Sequence, residues 1–296
     1  MSADLAVLQP DTGVSLAEAM GVTMSSTKAS TLARITQVHV PIKGVLELAG
    51  KKITTDVVPQ GMYKIEMGDD VAYSNSPTIQ IYAQREQWTR WDTENDTMNK
   101  TVMETSLNND LKDTKGGFNL GRGNKFYAKK EWDALDKSTQ EKIKEVKRTK
   151  IVLGVVTATD LIDEAGEASD MVVNELPFVL DVKNRKSLAS LTNCTKKIMS
   201  KNVLPIEYLI SLKAEIHDLP GGGTYSSTIY NPTQKLEIDP DSSKEILANF
   251  LDWVKNSNRY ILDLWQEAQS TSLSEEDAEV VANLVNVSAE DRENFG

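Results

Sequence analysis

Lys150-Ile151-Val152-Leu153-Gly154-Val155-Val156-Thr157 is the stretch on which the fold turns. It is a continuous apolar run, rich in β-branched residues and shorter than a typical buried helix. Such a run reads as a strand covered on both faces. On its C-terminal side the acidic, small-residue segment 160–170 reads as a loop. A strand over 176–182 and a helix over 187–200 come next, the helix carrying Leu188, Leu191 and Ile198 at helical spacing. Tyr208, Ile210, Leu212, Ala214 and Ile216 then alternate along a strand over 206–217. The turn Pro220-Gly221-Gly222-Gly223 leads into a last strand over 224–230.

On the N-terminal side, a strand over 78–84 directs Ile79, Ile81 and Ala83 to one face and Gln80, Tyr82 and Gln84 to the other. Shorter β-like runs over 35–40, 44–48, 62–67 and 71–73 precede it, and Gly68-Asp69-Asp70 reads as a hairpin turn. With 78–84 as the first strand, the order is three strands, a helix and two strands, which is the order of an oligonucleotide-binding (OB) barrel. The expected fold is therefore α+β and β-rich. It has an OB-like five-stranded barrel, an additional N-terminal β region, a long insertion between the first two barrel strands, and a long C-terminal helix. The expected divisions are a flexible arm over 1–33, the core over 34–232 with its insertion at about 86–148, the helix over 233–269, and an acidic tail over 270–296.

Positive charge is concentrated in the second part of this insertion and the start of the strand that follows it. Residues 112–150 hold twelve Lys/Arg and six Asp/Glu, a net of +6 in a chain whose total is −11. Seven of the chain's eighteen aromatics lie between Tyr82 and Lys150. Cations interleaved with rings suit a flexible polyanion with exposed bases, because phosphates pair with Lys/Arg while bases stack on aromatic faces. A Lys/Gly-rich run is also what a solvated loop looks like. Ser138-x-x-Glu141 reads as a capping box opening a short helix, with Ile143 and Val146 facing inward and Lys142, Lys144, Lys147 and Arg148 outward. A second such box, Ser242-x-x-Glu245, opens a helix to about Gln269 with Ile246, Phe250, Trp253, Val254, Ile261, Leu264 and Trp265 near 3–4 spacing. Its two tryptophans read as packing residues. Residues 237–296 hold fourteen acids and four bases.

Several chemistries are not expected. One cysteine and two histidines cannot supply a four-ligand structural zinc site, and Cys194 reads as a buried helix residue. The lone cysteine also points to a reducing compartment. Gly44 to Lys52 departs from a phosphate-binding loop in its glycine spacing, and Lys52 stands where Ser/Thr should be. Neither a Gly-x-Ser-x-Gly elbow nor a His-Glu-x-x-His helix is present. The reading is of a non-enzyme with no cofactor, no metal, no secretory signal and no membrane-length apolar run.

Several short signatures together carry a resemblance. They are Leu32-Ala33-Arg34-Ile35, Val58-Pro59-Gln60-Gly61-Met62-Tyr63, the Tyr82…Trp88…Arg90-Trp91 stretch, and Asp113-Thr114-Lys115-Gly116-Gly117-Phe118 with Gly121-Arg122. Lys147-Arg148-Thr149-Lys150, Leu176-Pro177-Phe178 and Gly222-Gly223-Thr224-Tyr225 complete them. Over about residues 32–232 the chain resembles OB-fold single-stranded DNA-binding proteins of tailed bacteriophages. The resemblance implies sequence-neutral coating of single-stranded DNA in phage replication and recombination, in the cytoplasm of an infected host cell. It also implies replication or recombination proteins as partners of the acidic tail, and leaves room for a homo-oligomer. The residues expected to meet nucleic acid are Trp88, Arg90, Trp91, Lys115, Arg122, Lys125, Phe126, Tyr127, Lys129, Lys130, Lys147 and Arg148. The competing expectation is a phage virion or tail assembly protein with no nucleic-acid role.

Overall fold

A computed structural model describes residues 32–48, 51–122 and 129–293. In chain order its strands are β1 (Ala33–Gln37), β2 (Ile42–Leu48), β3 (Lys51–Val58), β4 (Tyr63–Met67), β5 (Asp70–Ser74), β6 (Thr78–Asp92) and β7 (Thr97–Lys100). Beyond the insertion come β8 (Lys147–Ala158), β9 (Val173–Val182), β10 (Tyr208–Asp218) and β11 (Thr224–Lys235). The helices are α1 (Lys129–Asp133), α2 (Lys137–Glu145), α3 (Arg185–Met199) and α4 (Pro240–Glu293).

The large sheet is mixed, with strands in the order β11-β10-β6-β8-β9-β1-β4-β5 and β7 paired to the far end of β6. β1 runs parallel to β9, and the other pairings are antiparallel. The separate barrel of five strands expected from the sequence does not close. The edge of β9 that closure would need is taken by β1, which extends the sheet into β4 and β5. Side chains bridge the curled ends instead: Gln37 Nε2 donates to the Ser227 carbonyl at 3.4 Å, and His39 Nδ1 lies 3.1 Å from Ser226 Oγ. The outer edge of β11 is blocked by α3, where Ser187 Oγ and Ser190 Oγ accept from the Thr228 and Tyr230 amides at 2.8 and 3.0 Å. An edge so covered offers no template to another chain.

β8 is covered on both faces, as its composition requires. Val152 and Val156 face a core that Leu191, Cys194 and Ile198 of α3 complete. Ile151 and Leu153 face the opposite way, against Phe250 and Val254 of α4. Gly154 lies between them, where an added Cβ would sit 2.0 Å from the Gln80 carbonyl oxygen. Buried Cys194 is an inert thiol, its pKa pushed up to about 11 by burial.

Several boundaries differ from the sequence reading. β6 and β8 extend into the segment expected to leave the sheet, because polar residues satisfy one another across the ladder. Thr89 Oγ1 and Thr149 Oγ1 lie 2.8 Å apart, and Glu86 faces Lys150. The excursion therefore shrinks to residues 93–146. β3 was not expected. It pairs with β2 in a two-stranded ribbon whose Lys52, Ile53, Thr54 and Asp56 are exposed, so no burial pattern marks it. α2 is capped by Asp136, whose Oδ1 accepts from the Thr139 amide at 2.8 Å, and Ser138 lies inside the helix. α2 also ends at Glu145, so Lys147 and Arg148 belong to β8. α4 begins at Pro240 with Asp239 capping it, before the expected box, and runs on as helix past Gln269 to Glu293. Residues 1–31 of the expected arm, and 294–296 of the expected tail, lie outside the described residues.

Candidate nucleic-acid interface

The excursion is a small lobe with its own apolar centre of Trp88, Leu111, Leu120 and Val146. Its organiser is Asp113. The buried carboxylate accepts from the Lys115 and Gly117 amides through Oδ1, at 2.9 and 3.1 Å, and from the Leu120 amide through Oδ2 at 2.8 Å. These bonds hold a backbone in which Gly116, Asn119, Leu120 and Gly121 all have positive φ. Asn119 helps to hold that conformation by donating its side-chain amide to the Asn108 and Asn109 carbonyls, at 3.3 and 2.6 Å. The glycine-rich run is thus a built loop rather than slack chain.

α4 fastens this lobe to the sheet along one stripe of its surface. Asn258 exchanges two hydrogen bonds with the Met103 backbone, at 2.7 and 2.9 Å. Two turns on, Trp265 Nε1 donates to the Gly117 carbonyl at 3.0 Å, and Gln269 Nε2 donates to the Gly116 carbonyl. Lys112 Nζ sits 4.2 Å from the centre of the Trp265 ring, and Phe118 packs against that ring at 6.0 Å. Trp265, which the sequence marked as a packing residue, packs against the loop rather than the sheet.

The expected contact residues separate into five groups. Trp88 is 4% exposed under the Arg122 guanidinium, 4.0 Å from its ring centre, so its faces are closed to a base here. Trp91 is 49% exposed and offers an open ring. Arg90, Trp91 and Lys115 come together on a cleft of about 700 Å³, but its acids meet its cations: Lys115 Nζ lies 2.9 Å from Asp92 Oδ2 and Arg90 Nε 3.7 Å from Glu145 Oε2. Lys115, with Asn95 and Asn99, holds the Asp92 carboxyl well below the usual carboxylate range. Arg148 is likewise engaged, with Nη2 2.5 Å from Glu86 Oε1, while Lys147 Nζ donates to the Lys144 carbonyl at 2.5 Å. Lys129 and Lys130 stand exposed on α1, without an ion-pair partner among the described residues. Lys125, Phe126 and Tyr127 lie outside the described residues.

A second cleft, of about 730 Å³, lies between α4, β7 and the start of β1, and the sequence reading had not singled it out. It opens on the opposite face of β7: Asn99 lines the first cleft and the next residue, Lys100, the second. Among the described residues no group of three or more His, Cys, Asp or Glu is placed to hold a metal, and no helix is long and apolar enough to cross a membrane. Comparison with protein-family models, with curated proteins and with solved structures returned no match.

Proposed function

We propose that this protein binds single-stranded DNA without sequence preference, using an OB-like unit made of β6, β8, β9, α3, β10 and β11. The observation that carries the reading is the pairing order β11-β10-β6-β8-β9 with α3 between β9 and β10, interrupted between β6 and β8 by a lobe whose second part, residues 112–146, holds nine Lys/Arg against six Asp/Glu. OB-type readers meet oligonucleotides on the face of their second and third strands and on the loop joining the first two. In this chain the end of β6 offers Trp91 and that loop offers Phe118, 49% and 47% exposed, as stacking surfaces, with Lys129 and Lys130 nearby in sequence for phosphates. The role would lie in phage replication or recombination.

Titration of the full chain with poly-dT at two salt concentrations, followed by tryptophan fluorescence, tests this. Micromolar or tighter binding that weakens steeply with salt is the expected result. No quenching at the lower salt, with no change in anisotropy of a labelled strand, would refute it.

One observation favours a second reading, an assembly role in a virion or tail. Arg90, Lys115 and Arg148 are each neutralised by an acid of the same chain, which is how charges are arranged when they hold a lobe together. Under that reading poly-dT leaves the fluorescence unchanged.

A further inference from the structure

Cations without such partners gather elsewhere. Lys100, Lys255 and Arg259 line the second cleft, and none has an ion-pair partner among the described residues. Asp252 is the single acid of the lining. Lys255 and Arg259 are four residues apart on α4, a spacing at which like charges repel and cost the helix a few tenths of a kcal/mol. Lys100 is half-buried at the floor, where burial, opposed by Asp181 and then reinforced by Arg34 and Lys183, lowers its pKa. Asp181 already serves Arg34 and Lys183, at 3.7 and 3.9 Å, so it leaves Lys100 poorly compensated. Rings stand beside these charges: Tyr260 is 59% exposed, and Trp253 presents one side to the cleft while packing on the core with the other.

Position adds to composition. α4 lies across the outer face of β6, β8 and β9, covering Ala83, Ile151, Leu153 and Val179. A strand approaching that face would meet the helix and be turned to its margin, where this cleft runs. From these observations we infer that the cleft between α4 and β7 is the principal phosphate-binding groove for single-stranded DNA. Lys100, Lys255 and Arg259 take the phosphodiesters, and Tyr260 supplies a stacking face for a base. The inference rests on the DNA-binding reading above and moves its centre from the first cleft to the second.

The test is the anisotropy of a fluorescein-labelled dT oligonucleotide titrated with the full chain at several salt concentrations. Wild type is compared with Lys255→Gln/Arg259→Gln, with Tyr260→Ala, and with Arg90→Gln/Lys115→Gln in the first cleft. All three residues changed on α4 are exposed or half-exposed, and circular dichroism checks that the helix persists. The α4 double variant should weaken binding about tenfold or more at low salt. It should also reduce the slope of log K against log salt by about 1.4, or about 0.7 for each phosphate that is no longer neutralised. Tyr260→Ala should weaken binding with little change of slope. The first-cleft variant should bind nearly as wild type. If wild type binds while both α4 variants keep its affinity and slope, this groove is not the site and the DNA-binding reading stands alone. If wild type does not bind even at low salt, both fall together.

Discussion

Glu86 shows why a basic segment read from sequence need not be a basic surface. Its carboxylate receives Arg148 Nη2 at 2.5 Å and Lys150 Nζ at 3.2 Å. Burial alone would raise its pKa, but the bonds and charges of Arg148 and Lys150 outweigh burial and hold it below the ordinary 4.5. A carboxyl whose pKa is lowered by folding contributes stability that is complete above its unfolded value and is lost as pH falls through the folded one. Glu86→Gln should therefore lower stability at pH 7 by about 2 kcal/mol, the scale of a hydrogen bond to a charged group. It should also flatten the decline in stability below about pH 4.5, both read from urea unfolding at neutral and acid pH. Equal stability of the two proteins at pH 7 would mean the pairing contributes nothing. The sequence disclosed the cations here, since Arg148 was visible as one of twelve. It could not disclose their partners, because Glu86 lies 62 residues away and meets Arg148 only through the β6–β8 register.

At the scale of the element, α4 acts as a single stripe: Phe250, Val254, Asn258, Ile261, Trp265 and Gln269 recur at three- and four-residue steps. The apolar members of that stripe were legible in the sequence, as were the existence and type of β8, β9, α3, β10 and β11. The polar members were not, because Asn258 and Gln269 are recognised only through the backbone groups they meet. β3 escaped for the converse reason: an exposed ribbon has no buried face to imprint a period. The stripe makes a sharp prediction at Gly116. Its φ is +80°, and an added Cβ would stand 2.9 Å from Ala268 Cβ. Gly116→Ala should strain the loop by about 1–2 kcal/mol and lift it from α4. The Leu120 amide, held by Asp113 in the intact loop, should then exchange with solvent faster, and Trp265 fluorescence should shift to the red. Unaltered exchange and emission would show that the loop keeps its form without α4.

For the whole molecule, α3 and α4 divide the work of covering one sheet. α3 closes the inner core, where Leu191 and Ile198 meet Phe178, Tyr208 and Tyr230. α4 covers the outer face of the same central strands, so the run around Leu153 needs both helices to leave water. That double coverage was predictable from the unbroken apolarity of residues 151–153 and 155–156. Which helix lay on which face was not, since a period reports that a face is buried and not what buries it. The same limit hid the second cleft, whose walls come from residues 32, 100, 177 and 246–260 and become neighbours only once α4 crosses the sheet. A chain ending at Asp239 would keep every strand and α3 but leave Ala83, Ile151, Leu153 and Val179 facing solvent. Burying side chains of this kind contributes about 1.5–3 kcal/mol each for the larger ones. The shortened chain should therefore melt well below the full one, bind an apolar dye such as anilinonaphthalene sulfonate, and self-associate in sedimentation. A shortened chain that stays monomeric, ignores the dye and keeps its melting temperature would mean that α4 is an accessory laid on a finished core. The groove at its margin would then be a movable feature rather than a wall of the fold.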